Sequence, residues 1–176
     1  MSPRVVIWAG HGPKEPGHED PGVCSPERDC EADWTTDLAA MAAAELRGLG
    51  VLVEDLVLGP YAQRAALADA AGAALVVHLH GDTGAPSCYY YPRSTRGALA
   101  AQAIQAQLAP VLPWALQLRE AGAAFPRAKG LLAMTRAPAV LVELVQQVSP
   151  VAVQQLRERQ QAIARALALG IQAALS

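Results

Sequence analysis

The strongest constraint on the fold is a set of three short aliphatic runs separated by segments long enough to form helices. The runs span 4–9, 74–80 and 139–144, and valine, isoleucine and leucine dominate them. Runs of this length and composition are typical of strands buried on both faces of a parallel sheet. We therefore predict an α/β fold: a single-domain layered α/β sandwich with a mostly parallel, mixed central sheet flanked by helices, occupying 1–176.

Apolar spacing, together with the positions of proline and glycine, locates the remaining elements. Helices are predicted over 33–47, 61–71, 94–108 and 150–171, and further strands over 51–58, 131–134 and, at a sheet edge, 89–91. The stretch 110–130 has no regular pattern and is predicted to be irregular. Prolines and glycines make 13–29 a long loop, and loops of this length usually serve a function. We expect it to rim a cleft.

Charge and hydropathy exclude several classes of protein. The chain of 176 residues carries 14 Lys and Arg against 16 Asp and Glu, a net charge of −2. It therefore lacks the basic surface on which nucleic-acid binding depends. The longest uncharged stretch, 97–118, contains glutamines and prolines that would be costly in a bilayer, so we predict no membrane span. The apolar run at the N-terminus is too short for a signal peptide.

The cysteines do not suggest a disulfide framework. Cys24, Cys30 and Cys88 are odd in number, and a chain of this length folds without covalent staples. Cys24 and Cys30 could pair or bind a metal, but the five residues between them do not match the spacing of a zinc knuckle. We therefore expect free thiols.

Polar residues lie at the ends of several predicted strands, where ligands bind in layered α/β folds. His11 follows the first strand, His80 ends the strand at 74–80, and Glu143 lies near the end of an otherwise apolar strand, where a lone charge is costly. Glu31 lies where the long loop enters a helix. Two histidines and two carboxylates at one sheet edge fit catalytic zinc, which takes three protein ligands and leaves a fourth position open.

These residues also have plainer interpretations. His11 could be an ordinary loop histidine, and Glu143 a strand-end carboxylate that reaches solvent. His78 lies two residues before His80, so both side chains point to one face of the strand. His78 could be either a second metal ligand or a buried core residue. His18, in the long loop, is expected to be solvent-exposed.

Four segments resemble the zinc-dependent N-acetylmuramoyl-L-alanine amidases, which cut peptidoglycan, and especially the catalytic domains of phage endolysins. The matching segments are the strand and glycine-flanked histidine at 5–12, the glutamate at Glu31, the strand at 74–80 preceded by Arg64 and Ala68, and the strand at 138–143. They occur in the family's order and with its spacing. The resemblance covers about four fifths of the chain.

The resemblance implies a ligand set, a cofactor and a substrate. It implies that His11, Glu31 and His80 bind Zn²⁺, and that Glu143 takes a proton from a zinc-bound water and returns it to the departing amine. The substrate it implies is peptidoglycan, cut between N-acetylmuramic acid and L-alanine. An enzyme of this type without an export signal is expected to be cytoplasmic until it is released to act on the cell wall. The oligomeric state stays open.

The chain departs from the family pattern in four places, one of which is His78, at a position that is usually not histidine in the family. Asp82 stands where the family has asparagine, Ala32 replaces the lysine of Glu-Lys-Asp, and 144–147 replaces the Gly-Phe-x-Ser-Asn segment after the catalytic glutamate. The last change predicts a differently built flank of the site.

Some assignments stay open within this resemblance. Three acids near Glu31 are alternative ligands: Glu27, Asp29 and Asp33. Arg119 or Arg127 could bind stem-peptide carboxylates, because guanidinium pairs with carboxylate through two hydrogen bonds.

Two other functions compete with the amidase. One is a cytosolic zinc peptidase or small-amide deacylase of the same fold, which the missing export signal favours. The other is a non-catalytic peptidoglycan-binding module that has lost its activity. The retained histidines and carboxylates count against the second, because a binding module has no need of them.

Overall fold

The three aliphatic runs form adjacent strands at the centre of a six-stranded sheet. A computed structural model describes residues 3–15, 18–56, 60–122 and 125–176, which form eight strands and six helices. The strands are β1 (Arg4–Ala9), β2 (Gly12–Glu15), β3 (His18–Asp20), β4 (Leu52–Leu56), β5 (Leu75–Asp82), β6 (Ser87–Tyr90), β7 (Gln117–Glu120) and β8 (Ala139–Gln146). The helices are α1 (Glu31–Gly48), α2 (Tyr61–Ala70), α3 (Thr95–Leu108), α4 (Pro126–Leu132), α5 (Pro150–Glu158) and α6 (Gln160–Ala174).

The order of strands in the main sheet is β4-β1-β5-β8-β6-β7. Every neighbouring pair is parallel except β6 with β8, which is antiparallel. The predicted single-domain α/β fold with a mostly parallel, mixed sheet is therefore confirmed. Strands β2 and β3 form a separate antiparallel hairpin, which interrupts the predicted loop after β1.

The sheet separates two apolar layers of unequal size. The larger layer packs α1, α3 and α6 against one face, where Ile7, Val77 and Val142 are fully buried. The smaller layer packs α2 and α4 against the other face, around Trp8 and Leu141. Because side chains alternate along a strand, His78, His80 and Glu143 share the smaller layer's face. None of the described helices is long and apolar enough to cross a membrane.

Several predicted elements differ from the structure. Strand β6 is internal, because it bonds to β8 on one side and β7 on the other. The stretch predicted to be irregular contains β7 and α4, and the strand predicted at 131–134 is wrong, because Leu131 and Leu132 end α4. Ala128 and Leu132 are buried four residues apart, which is helical spacing. The predicted last helix is two helices, separated at Arg159.

Candidate metal centre

Sheet register brings the predicted site residues together. Strands β5 and β8 pair in parallel with His80 opposite Glu143, so both side chains leave the same face at neighbouring positions. Strand β1 flanks β5 on its other side, with Ala9 opposite Leu79, and His11 follows two residues later. The carboxyl ends of three adjacent strands thus converge, as the strand order of the sheet requires.

Glu31 is the first residue of α1, is fully buried, and joins the two histidines. Its Oε1 lies 2.9 Å from His80 Nδ1, and its Oε2 lies 3.3 Å from His11 Nε2. Backbone amides also bind this carboxylate: Gly81 N–H donates to Oε1 at 3.0 Å and Val23 N–H to Oε2 at 3.3 Å. These contacts hold a buried carboxylate in one orientation between two imidazoles.

The three side chains form a cluster suited to a metal ion. One ligand atom from each of His11, Glu31 and His80 lies within 4.8 Å of the others. Two imidazoles and one carboxylate are a donor set that zinc accepts, and catalytic zinc sites use three such ligands. His80 Nε2 is buried and has no hydrogen-bond partner among the described residues. The residues therefore fit a bound cation of this type.

The alternative ligands to Glu31 have other roles. Glu27 is exposed, and Asp29 forms a paired hydrogen bond with the Arg157 guanidinium at 2.8 and 2.5 Å. Asp33 accepts a hydrogen bond from the backbone N–H of Cys30 and so caps the start of α1. None of these carboxylates belongs to the His-Glu-His cluster found among the described residues.

Glu143 lies in the same cleft as the cluster, with 5% of its surface exposed. Its Oε2 is buried and finds no partner within the described chain. Burial raises the pKa of the Glu143 carboxyl well above its usual value, and the negative charges of Glu31 and Asp82 add to the effect. The strand-end interpretation, in which this carboxylate reaches solvent, does not fit the structure.

Residues outside the predicted set hold His11 in place. Asp20, on β3, lies 2.9 Å from His11 Nδ1 and thereby orients the imidazole. Tyr61 donates a hydrogen bond to the Gly10 carbonyl, and the Arg64 guanidinium donates to the Ala9 carbonyl at 2.6 Å. Sequence reasoning missed Asp20 and Tyr61, because Asp20 comes from an unpredicted hairpin and Tyr61 lies 50 residues from His11.

His78 does not take part in the cluster. Its ring is fully buried and meets the Trp8 ring edge to face, with centroids 4.2 Å apart. Both ring nitrogens lack a partner among the described residues, and burial lowers the pKa of His78 well below its usual value. The structure thus favours the core interpretation of His78. The prediction for His18 concerns a side chain outside the described part of the chain.

The segment after Glu143, which differs from the family's usual sequence, anchors the end of β8 through Gln147. Gln147 is fully buried; it accepts a hydrogen bond from Trp34 Nε1 at 2.9 Å and donates to the Asp29 carbonyl at 2.7 Å. It therefore ties the end of β8 to the first turns of α1 and the preceding loop.

A disulfide bond lies beside the cluster. Cys24 and Cys30 are joined, so the expectation of free thiols is wrong for this pair and right only for Cys88, which is buried and free. An antiparallel bridge also links the two backbone segments, and Val23 and Glu31 exchange hydrogen bonds alongside it. The six-residue separation of the two cysteines suits a tight loop closed by a disulfide. The zinc-knuckle spacing rule tests only for metal binding and therefore does not predict this pairing.

The site opens into a cleft of about 550 Å³. One wall carries acids, namely Asp20, Glu31, Asp82 and Glu143, beside the two histidines. The opposite wall is built by α4 and its flanks, with Phe125, Arg127, Leu131 and Met134. Arg119, on β7, does not line the cleft and bonds to Gln117 instead. The loop predicted to rim the cleft contributes Asp20, Gly22 and Val23.

A half-buried histidine, a buried glutamate and a buried histidine, clustered beside a second buried carboxylate at the carboxyl ends of parallel strands, suit a metal-dependent hydrolase. The sequence matches the family of N-acetylmuramoyl-L-alanine amidases over residues 5–173. The chain therefore belongs to this family, as its resemblance predicts, and family membership supports peptidoglycan amidase activity. No curated protein matched the sequence.

Solved structures agree on the fold. The amidase AmiC2 of Nostoc punctiforme superposes with a TM-score of 0.79 at 23% identity, over 97% of this chain and 95% of that one. The amidase Ami1 of Mycobacterium smegmatis superposes with a TM-score of 0.78 at 23% identity, over 98% of this chain and 96% of that one. The catalytic domain of the CD27L endolysin, described as targeting Clostridia difficile, superposes with a TM-score of 0.70 at 16% identity, over 96% of each chain.

Proposed function

We propose that this protein hydrolyses the amide bond between N-acetylmuramic acid and L-alanine in peptidoglycan, and that the reaction depends on zinc. The observation that carries the proposal is the cluster of His11, Glu31 and His80, whose ligand atoms lie within 4.8 Å of one another, beside the buried carboxylate of Glu143. On this proposal, 1–176 forms one amidase catalytic domain.

His11, Glu31 and His80 would hold the zinc ion. Bound there, zinc supplies a Lewis acid and lowers the pKa of a coordinated water toward about 7. The protein contributes a fixed ligand geometry: Asp20 orients the His11 ring, and the amides of Val23 and Gly81 orient the Glu31 carboxylate. These contacts hold the ligands in place before the substrate arrives.

Glu143 is the proposed proton carrier. Its Oε2, which has no hydrogen-bond partner in the described part of the chain, can accept a proton from the attacking water and return that proton to the departing L-alanine amine. A carboxyl with a raised pKa suits both halves of this task, since it binds the proton more readily than an exposed glutamate. One side chain therefore serves bond cleavage and protonation of the leaving group.

The biological role we propose is cell-wall lysis of the endolysin or autolysin type. The family match and the similarity to the CD27L endolysin catalytic domain support it. The open cleft is consistent with a polymeric substrate, because a glycan strand must pass across the site without threading through it.

Digestion of purified peptidoglycan by the unaltered protein and by Glu143→Gln tests this proposal. We expect the unaltered protein to release L-alanine amino groups without new reducing sugar ends. The variant should keep one zinc per chain and lose about 10²- to 10⁴-fold in rate, since glutamine cannot carry the proton. Metal analysis and amino-group release are measured on the same samples.

Other outcomes separate the competing functions. Equal rates for the unaltered protein and Glu143→Gln would show that Glu143 does not carry the proton. Release of amino groups from free peptides but not from peptidoglycan would favour a zinc peptidase, and binding to the wall without zinc or turnover would favour a non-catalytic module.

A further inference from the structure

The two walls of the cleft differ in charge. The wall that carries the His-Glu-His cluster presents four carboxyl groups, from Asp20, Glu31, Asp82 and Glu143. The wall formed by α4 and its flanks is apolar apart from Arg127. Among the described residues that line the cleft, Arg127 is the only lysine or arginine.

Arg127 has no partner among the residues that the structure describes. It is exposed and forms neither an ion pair nor a side-chain hydrogen bond with any residue in the described ranges. The neighbouring arginine Arg136, by contrast, pairs with Asp69, and Arg119 bonds to Gln117. An unpaired guanidinium presents a planar set of donors that matches a carboxylate, so Arg127 is available for a ligand.

The α4 wall belongs to a basic part of an acidic chain. Between residues 93 and 136 there are six Arg and Lys residues and a single acid, Glu120, whereas the rest of the chain has eight against fifteen. The cleft is therefore lined on one side by the acidic part of the chain and on the other by the basic segment 93–136, to which Arg127 belongs. An anionic ligand is repelled by the first wall and attracted by the second.

We propose that Arg127 determines specificity by binding a free carboxylate of the stem peptide, on the residue that follows the first alanine. This inference rests on the proposed function, which places the scissile amide at the cluster. We place the peptide from the cluster across the cleft toward α4, because the acids of the first wall repel a carboxylate and Arg127 attracts it. Phe125, Leu131 and Met134 give this wall the apolar surface against which the intervening chain packs.

The test uses two soluble muramyl dipeptides whose terminal γ-carboxyl is blocked as a methylamide and which differ only at the α-carboxyl of the acidic residue. In one, the acidic residue after L-alanine carries a free α-carboxylate, and in the other that group is the amide. Cleavage is followed for the unaltered protein, Arg127→Gln, Arg127→Lys and Lys129→Gln. Lys129 is the matched control, because it lies on α4 but does not line the cleft.

We expect Arg127→Gln to raise KM for the free acid about tenfold, the loss expected of a charge-assisted hydrogen bond, with kcat changed less than twofold. The same variant should leave KM for the amide unchanged. Arg127→Lys should recover part of the lost affinity as a single point charge, and Lys129→Gln should match the unaltered protein.

Three results would overturn the inference. An equal rise in KM for both peptides would make Arg127 a general packing or structural residue, and a loss confined to kcat would place its effect on the chemical step. An effect of Lys129→Gln as large as that of Arg127→Gln would make the attraction a diffuse property of α4. The unaltered protein is also tested on purified peptidoglycan. If it releases no L-alanine amino groups there, the proposed function fails and this inference with it, whereas cleavage of peptidoglycan with no difference in KM between the two dipeptides defeats the inference alone.

Discussion

Gly10 lies where the site leaves no room for a side chain. A Cβ added there would lie 2.5 Å from His80 Nδ1 and 2.6 Å from the Leu79 carbonyl oxygen, both closer than van der Waals contact. One of these neighbours is backbone at the centre of the sheet, so it cannot yield easily. The absence of a side chain at Gly10 therefore lets β1 pass directly beside a candidate metal ligand.

We expect Gly10→Ala to destabilise the metal-free protein by about 1–3 kcal/mol, the usual cost of overpacking a buried site, and to weaken zinc binding. Gly48→Ala is the matched control, because nothing lies within 4 Å of a Cβ at that helical position. It should be neutral or stabilising by up to about 1 kcal/mol. Thermal unfolding and zinc titration of both variants check this. Equal behaviour of the two would show that β1 can shift away from His80.

His78 and His80 allow a paired test of the ligand set, since they lie two residues apart on β5. His80→Leu should abolish stoichiometric zinc binding, because it removes one of three ligands. His78→Leu should keep one zinc per chain and most of the activity, because it replaces a ring whose nitrogens lack partners among the described residues. Metal analysis of the purified variants decides the matter. Loss of zinc in the His78 variant would show that His78 contributes to the metal site.

The part of the site that lies at the ends of strands could be predicted from the sequence. His11, His80 and Glu143 follow from the rule that ligands bind at the carboxyl ends of parallel strands, and the structure brings them together with Glu31. Asp20 does not follow, because its position depends on the pairing of a hairpin within a stretch rich in proline and glycine. Such contacts are set by tertiary packing, which local patterns do not encode.

At the scale of secondary-structure elements, the start of α1 is held by a covalent link. The Cys24–Cys30 disulfide ends at the residue before Glu31, and the Val23 amide bonds to the Glu31 carboxylate on the other side of the bridge. The disulfide therefore fixes two of the segments that orient this candidate ligand. Its removal affects both the stability of the fold and the geometry of the site.

We expect the double variant Cys24→Ser, Cys30→Ser to lose about 2 kcal/mol of unfolding free energy, the value for so short a closed loop. Its zinc affinity should also fall, because the Val23 segment is no longer tied to α1. Denaturant unfolding and zinc titration measure the two effects. The unaltered protein in reducing agent serves as the control and should reproduce the variant, whereas an unchanged zinc affinity would show that the hydrogen bonds alone hold Glu31.

Elements with a strong apolar pattern were predictable, and elements without one were not. β1, β5 and β8 are nearly continuous apolar runs because both of their faces are buried. Strand β7, by contrast, is exposed along its whole length, so no alternation of apolar and polar residues marks it. Helix α4 is too short for its helical spacing to be distinguished from an apolar run.

At the scale of the whole molecule, the larger apolar core lies apart from the candidate metal centre. The apolar core on the α1, α3 and α6 side of the sheet lies on the face opposite Glu143 and His80. The metal-free protein should therefore remain folded, although the carboxylates of Glu31, Asp82 and Glu143 repel one another at the edge of the sheet. A cation bound among them relieves this repulsion and binds only the folded chain.

We therefore expect zinc to stabilise the protein without being required for folding. At a free concentration about 100 times its Kd, a ligand that binds only the native state adds about 2.7 kcal/mol. For a domain of this size that gain corresponds to a rise in Tm of about 5–11 °C. Thermal unfolding with excess chelator and with buffered zinc measures the shift, and far-ultraviolet circular dichroism shows whether the chelated protein keeps its helices. His80→Leu is the control and should show no shift, because a rise in Tm that survives loss of this ligand would mean that zinc stabilises the fold from a different site.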